Sequence, residues 1–310
     1  MVRIAVVGVG EWGKNHARIL SELGALGAIC DTDESKARSF SEKYNVNSYT
    51  SVDEMLKNEK LGGAVISTPT STHFAVSQKL MEHRVNVLVE EPMASSSMDC
   101  EQMRTMAKRN NVILIAGSVE RFNTAVNEVK NFISQKKYGD ALMLEFRESG
   151  MPSNIHENVG MIYGASIQYI DTASYLFNDK PNIVFARAGS AGEAHEDFAA
   201  IILGFKNQKT AVITSNWTAS KKMRQFIAVC TDAMIAGDFV TQEVRIDRED
   251  TLPRKESEEP LVLELKNFIG AIDGNVKPLT SVDDAIDTIR VAEAALLSSK
   301  TGSPIYLDLR

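Results

Sequence analysis

With 310 residues, the chain is long enough for about two domains of roughly 100–200 residues each. Hydrophobic residues make up 44% and charged residues 24%, the balance of an ordinary globular protein with its own core. Lys and Arg total 34 and Asp and Glu 41, a formal charge of −7, which excludes a protein built mainly to coat nucleic acid or an anionic membrane. A small anion held in a locally positive pocket stays compatible with that charge.

Cys30, Cys100 and Cys230 are far apart and lack metal-ligand spacing, so neither a metal centre nor a disulfide framework is expected. Cys30, inside an apolar run, reads as a small buried hydrophobe. The run after Met1-Val2-Arg3 has no A-x-A-like cleavage site. No apolar run approaches the ~20 residues of a membrane span. The expected location is cytoplasmic, with no membrane and no nucleic-acid partner.

In chain order, β-branched runs at 3–7, 25–30, 64–67, 86–89 and 112–116 predict strands. Between them, 12–23, 34–43, 52–58, 73–83 and 98–108 predict helices; Ala17, Leu20 and Leu23 recur at helical spacing. Apolar strands alternating with helices argue for a parallel sheet covered on both faces. After Ser118 the pattern changes. A helix is expected at 124–135, a strand at 141–148 and a helix at 160–177. Strands at 182–188, 198–205, 210–215, 224–229 and 240–246 follow, joined by short turns such as Lys206-Asn207-Gln208. Close spacing of that kind predicts an antiparallel sheet. The charged stretch 247–259 reads as a solvated loop, and helices return at 261–273 and 282–298. The expectation is an α/β domain at 1–118 followed by an α+β domain at 119–310.

Gly8-Val9-Gly10-Glu11-Trp12-Gly13 fits G-x-G-x-x-G between the first strand and the first helix. Gly8 permits the tight turn, Gly10 leaves room for a pyrophosphate and Gly13 allows close helix–strand packing. The helix N-terminus offers N–H groups and the positive end of its dipole. Asp31 ends the second strand, 31 − 13 = 18 residues past the third glycine. A carboxylate there accepts from ribose hydroxyls and repels a 2′-phosphate, and Thr32, Asp33 and Glu34 supply no Arg to hold one. NAD is therefore the expected cofactor. Two further loops fall at carboxyl ends of parallel strands, where such sheets bind ligands: Ser67-Thr68-Pro69-Thr70-Ser71-Thr72-His73 and Glu90-Glu91-Pro92-Met93. Thr70 or Ser71 alternatively caps the next helix, and His73 is either a cofactor contact or surface polar.

The set Gly8-x-Gly10-x-x-Gly13-Lys14-Asn15-His16, Ser67-Thr68-Pro69, Val89-Glu90-Glu91-Pro92-Met93 and Gly117-Ser118-Val119-Glu120-Arg121-Phe122-Asn123 resembles the glucose–fructose oxidoreductase/inositol dehydrogenase (Gfo/Idh/MocA) family. Ser215-Asn216-Trp217-Thr218-Ala219-Ser220-Lys221-Lys222-Met223-Arg224 and Asp238-Phe239-Val240-Thr241-Gln242-Glu243 are similar to its UDP-N-acetylglucosamine 3-dehydrogenase-like branch. The resemblance implies a Rossmann domain, then an open-faced, mostly antiparallel sheet, and a homo-oligomer (dimer or tetramer). It also implies an NAD-dependent dehydrogenase oxidising a CH–OH group of a sugar or nucleotide sugar. Carried over residue by residue, it places Gly8, Gly10, Glu11, Trp12, Gly13, Asp31, Ser67, Thr68, Pro69, His73 and Glu90 at the cofactor. It places Arg121, Asn123 and Gln168 at the substrate, where Tyr163 and Lys221 are further candidates from the residues themselves.

The sequence departs from the family where the chemistry lies. The family's Glu-Lys-Pro lysine is Glu91 here, and the Asp and His of its helical D-x-x-x-H are Gly164 and Gln168; Asp171 still matches. Gln is no base near neutral pH. Glu91, His156 and Gln168 are the candidates for a rearranged catalytic set. Tyr163 and Tyr169 flank the altered positions and either reach the substrate or pack in the core or rim, and Lys221, Lys222 and Arg224 form a basic turn that either meets a substrate phosphate or is solvated. The alternative is a catalytically silent NAD(H)- or sugar-binding homologue, acting as a sensor or partner subunit.

Overall fold

The computed structural model describes residues 2–151, 159–192, 195–247 and 258–309. By internal contacts the chain divides into two compact units, Met1–Val119 with Glu259–Ile286, and Glu120–Glu258 with Asp287–Arg310.

The first unit is built on β1 (Ile4–Val7), α1 (Gly13–Glu22), β2 (Leu26–Cys30), α2 (Glu34–Tyr44), β3 (Asn47–Tyr49), α3 (Val52–Asn58), β4 (Gly63–Ile66), α4 (Thr70–Glu82), β5 (Asn86–Glu90), α5 (Ser97–Asn110) and β6 (Leu114–Gly117). The sheet is parallel throughout, in the order β3-β2-β1-β4-β5-β6. β1, β4 and β6 are buried at every position, as strands covered on both faces must be. β3 was not foreseen: Asn47-Ser48-Tyr49 is a short polar edge strand with no apolar run to signal it.

The second unit begins with α6 (Thr124–Ser134) and β7 (Ala141–Ser149), followed by one π-helical turn, Ile162–Ser166, that runs into α7 (Ile167–Phe177). Then come β8 (Ile183–Gly189), β9 (Phe198–Gly204), β10 (Thr210–Asn216), β11 (Met223–Cys230), β12 (Met234–Asp238) and β13 (Val244–Ile246). Its sheet runs β13-β12-β11-β7-β10-β9-β8-β14, where β14 is Ile305–Tyr306. All pairs are antiparallel except β7 with β10. The expected α/β Rossmann unit followed by a mostly antiparallel open sheet is what the chain forms. β9 shows how one face is left open: Ala199, Ile201 and Leu203 are buried, whereas Phe198, Ala200 and Ile202 are exposed.

Two details differ from the sequence reading. The strand expected at 240–246 shrinks to β13, because Gln242 adopts φ +57° in the turn before it. β12 lies where no strand was expected; its Gly237 is the place where a Cβ would strike the Phe226 ring at 2.2 Å, so close strand packing, not propensity, selects glycine.

Of the tail helices, α8 (Pro260–Ile272) belongs with the first unit rather than with the 119–310 division. Leu261, Leu265 and Phe268 enter the core formed by Ile4, Val6, Ala17, Leu20 and Val65. α9 (Val282–Thr301) places Val291, Ala292, Ala294 and Ala295 in the core of the second. Among the described residues no helix is long and apolar enough to cross a membrane.

Candidate active site

In the first unit the chain leaves β1 through Gly8 at φ +86°. A Cβ on Gly8 would lie 2.6 Å from the Ser67 carbonyl oxygen, and one on Gly13 would lie 1.8 Å from the Gly8 carbonyl oxygen. Those two glycines are required by the protein's own packing. Gly10 is exposed, and a Cβ there would meet no protein atom within 4 Å. It keeps backbone clear for something other than protein. α1 starts at Gly13 with Trp12 as N-cap and no side-chain cap hydrogen bond, so no cap side chain closes off its first N–H groups. A clear backbone beside an uncapped helix start suits a pyrophosphate.

Asp31 is fixed beside this turn. Its Oδ2 accepts from the Val9 N–H at 2.8 Å and its Oδ1 from the Asp33 N–H at 2.9 Å. Asp33 instead caps α2, accepting from the Lys36 N–H at 3.1 Å. The two carboxylates thus separate into one at the ligand loop and one that only starts a helix. Glu11 and Trp12 are exposed on the same turn.

After β4, Thr68 Oγ1 accepts from Thr72 Oγ1 at 2.7 Å, and α4 opens at Thr70 with Pro69 as N-cap and no side-chain cap hydrogen bond. His73 is 1% exposed; Nδ1 lies 2.9 Å from the Pro92 carbonyl oxygen and Nε2 2.7 Å from that of Thr68. It braces one ligand loop against the other and presents no ring nitrogen to a cofactor, which corrects both sequence expectations for it. Burial lowers its pKa against the opposing pull of the two carbonyls. In the unfolded chain the ring takes up its proton near pH ~6.5. Below about that pH the unfolded state binds more protons than the folded one, so stability falls as pH drops. His73→Asn is expected to flatten that acid limb, measured as the urea midpoint between about pH 4 and pH 7.

At the end of β5, Glu90 meets His16 Nε2 from α1, and its Oε2 accepts from the Glu91 N–H at 3.3 Å. His16 is fully buried and its Nδ1 has no partner. The sequence reading passed over His16 as a site residue, although it shares a helical stripe with Ile19 and Leu20, where an ionisable ring has to find a partner. Glu91 is half-buried, and its Oε1 accepts from Ser118 Oγ at 2.6 Å. Gly8, Gly10, Gly13, Asp31, Ser67, Thr68, Pro69, Glu90 and Glu91 therefore converge at the carboxyl ends of β1, β2, β4 and β5.

In the second unit the π-helical turn before α7 is held at its start by Glu196. Its carbonyl accepts from the Met161 N–H at 2.7 Å and its Oε1 from the Ile162 N–H at 3.2 Å. A Cβ on Gly160 would lie 2.2 Å from that carboxylate. Tyr163 and Gly164, half-buried, lie within this turn, and Gln168 in the first turn of α7. The Gln168 amide is engaged on both sides: Nε2 donates to Glu148 Oε2 at 3.1 Å, and Oε1 accepts from Arg224 Nη2 at 2.5 Å. Arg224 also donates to Glu120 Oε1 at 2.9 Å and to the Tyr169 hydroxyl at 3.2 Å. Burial opposes its charge, but Tyr169, Glu120 and Glu148 outweigh burial and raise its pKa. Burial likewise raises the Glu120 pKa, with Arg224 pulling the other way.

Two residues expected at the substrate are internal instead. Arg121 forms a two-pronged pair with Asp171, Nε to Oδ2 at 2.8 Å and Nη2 to Oδ1 at 2.6 Å, with side-chain exposures of 7% and 3%. Asn123 is 1% exposed; its amide donates to Glu120 and to the Phe239 carbonyl, each at 3.0 Å, and its Oδ1 caps α6 through the Ala125 N–H at 3.0 Å. Lys221 is exposed, on the turn whose carbonyl accepts from Ser149 Oγ at 2.9 Å. His156 lies outside the described residues.

Residues 2–118 match the oxidoreductase family with an NAD-binding Rossmann fold, and residues 126–236 match the GFO/IDH/MocA C-terminal domain. The chain is 24% identical over 307 residues to the UDP-N-acetylglucosamine 3-dehydrogenase of Acidithiobacillus ferrooxidans, covering 95% of each chain. The structure of that enzyme superposes with a TM-score of 0.88 at 21% identity, covering 97% of this chain and 98% of the other. An uncharacterized oxidoreductase of Streptococcus pneumoniae is 26% identical over 227 residues, an alignment spanning 62% of its length. The clear backbone at Gly10, the uncapped start of α1 and the fixed Asp31 carboxylate fit NAD, the cofactor of this fold. With both halves of its architecture matched, the chain belongs to the Gfo/Idh/MocA family of NAD-binding oxidoreductases.

Proposed function

We propose that the protein is an NAD-dependent dehydrogenase oxidising a secondary hydroxyl of a sugar or nucleotide sugar, of the UDP-N-acetylhexosamine type. The observation that carries this reading is the cofactor half-site, where Gly10 alone of the three motif glycines guards space that no protein atom fills. The end-to-end similarity to a UDP-N-acetylglucosamine 3-dehydrogenase supports the substrate class. Gly8 and Gly13 shape the turn, Gly10, Glu11 and Trp12 line the phosphates, Asp31 takes the ribose hydroxyls, and Ser67, Thr68, Pro69 and Glu90 border the nicotinamide end. Glu91 stands at the family's lysine position, and Tyr163, Gln168 and Lys221 serve the substrate side. Bound NAD supplies the hydride acceptor. A homo-oligomer accords with the exposed Phe198, Ile202 and Met234 on the open sheet face, and light scattering reads it directly.

A second reading is favoured by Glu91, Gly164 and Gln168: a NAD(H)- or sugar-binding homologue without turnover. The test is to mix the chain with NAD⁺ and a panel of UDP-sugars, inositols and aldoses while following reduced-cofactor absorbance, with NADH binding measured by calorimetry. Turnover with any member supports the dehydrogenase. NADH binding without turnover on the whole panel supports the silent homologue.

A further inference from the structure

Gln168 cannot take a proton at neutral pH, yet its amide is held in one orientation by groups on either side. Arg224 Nη2 donates to Oε1 at 2.5 Å, which turns Nε2 toward Glu148, whose Oε2 accepts at 3.1 Å. The Tyr169 hydroxyl accepts from Arg224 Nε at 3.2 Å, and it lies near enough to Glu148 for the carboxylate charge to raise its pKa, after the larger effect of burial. Glu148 is therefore a carboxylate held by the Gln168 amide, one hydrogen bond from the side chain that stands at the family's base position. It is half-buried near the end of β7. On that strand Leu144 and Phe146 are buried, and the two-residue repeat puts Glu148 on the same helix-covered face. Glu145, two strand positions from Arg147, faces the open side. A carboxylate on a core-facing position requires partners; the Gln168 amide donates to it, and the Arg224 charge, engaged directly by Glu120 at 2.9 Å, also acts on it.

We propose that Glu148 is the general base of this protein, with Gln168 as its positioning residue, so that the proton acceptor has moved from α7 to β7. This rests on the dehydrogenase reading above. In the step, the O–H bond of a secondary hydroxyl breaks and its proton passes to the Glu148 carboxylate. The C–H bond of the same carbon breaks as hydride leaves to oxidised nicotinamide, and the C=O bond forms; Glu148 then returns its proton to water. A base oriented by a further group is the general logic of such constellations.

The test compares the wild type with Glu148→Gln, Glu148→Asp and Glu91→Gln, and with Glu145→Gln as a control from the same strand. All are assayed with NAD⁺ and the panel of UDP-sugars, inositols and aldoses. Glu148→Gln is expected to lower kcat about 10²–10⁴-fold, with KM, NADH affinity and melting temperature unchanged. Glu148→Asp retains part of the rate. Adding Gln168→His to Glu148→Gln restores activity, since it returns an imidazole to the helix. Glu148→Gln within about threefold of wild-type kcat, with the large loss found in Glu91→Gln instead or in neither variant, overturns the assignment while the dehydrogenase stands. A wild type that binds NADH and turns over nothing on the panel overturns both.

Discussion

Gly13→Ala is expected to destabilise the first unit by about 3 kcal/mol or more and to abolish NAD binding, whereas Gly10→Ala is expected to weaken NAD binding alone. The new Cβ at Gly13 would lie 1.8 Å from the Gly8 carbonyl oxygen. Overpacking in a core ordinarily costs about 1–3 kcal/mol because side chains rearrange; here the obstacle is backbone, which also carries the ligand turn. At Gly10 the added methyl meets nothing within 4 Å, so folding stability should stay within about 0.5 kcal/mol. The space it takes is that of the pyrophosphate, and NADH affinity should fall at least about tenfold, ~1.4 kcal/mol. Urea denaturation and calorimetric NADH titration of both variants separate the effects. Equal destabilisation of the two would show that Gly10 serves the fold and not the cofactor.

The second large effect is expected in the other unit. Arg121 and Asp171 share two hydrogen bonds while almost entirely buried. Removing one member leaves the other as a desolvated charge, which costs about 3–5 kcal/mol. Arg121→Met and Asp171→Leu should each lose that much in urea denaturation. The double variant should recover a substantial part, because a buried pair and a packed apolar pair are often of similar stability. If the double variant loses the sum of the single losses, the two residues act independently and the pair is not the reason for their burial.

Arg121 also shows where sequence reading stops. Its motif, Glu120-Arg121-Phe122-Asn123, suggested substrate contacts, but its partner lies 50 residues along the chain, and no local pattern reports a pairing at that distance. Asn123 is similar, since its amide answers the Phe239 carbonyl, 116 residues away. The glycine turn and Asp31 were legible for the opposite reason. Their requirements are local: a positive φ, a helix start, a carboxylate at the end of the next strand. Strand–helix alternation gave the Rossmann unit because strands buried on both faces must be apolar throughout. β12 was invisible because Met234-Ile235-Ala236-Gly237-Asp238 has little β-branched character, and only Phe226 across the ladder explains its glycine. Glu148 did leave a signal: in Leu144-Glu145-Phe146-Arg147-Glu148, the alternation puts one carboxylate in step with the buried residues.

The placement of α8 bears on the order in which the molecule can assemble. Gly63, at the start of β4, lies so near α8 that a Cβ there would be 2.8 Å from Ile272 Cδ1 and 3.2 Å from Phe268 Cζ. As the chain emerges from the ribosome, all six parallel strands are made before the helix that seals one flank of their core, and roughly 140 residues of the other unit intervene. The nucleotide-binding unit is thus interrupted by the other unit, and it stays incomplete until the segment Glu259–Ile286 has been synthesised. A fragment ending at residue 118 would expose the apolar surface that Leu261, Leu265 and Phe268 cover, and would be prone to aggregate before it could bind a dinucleotide.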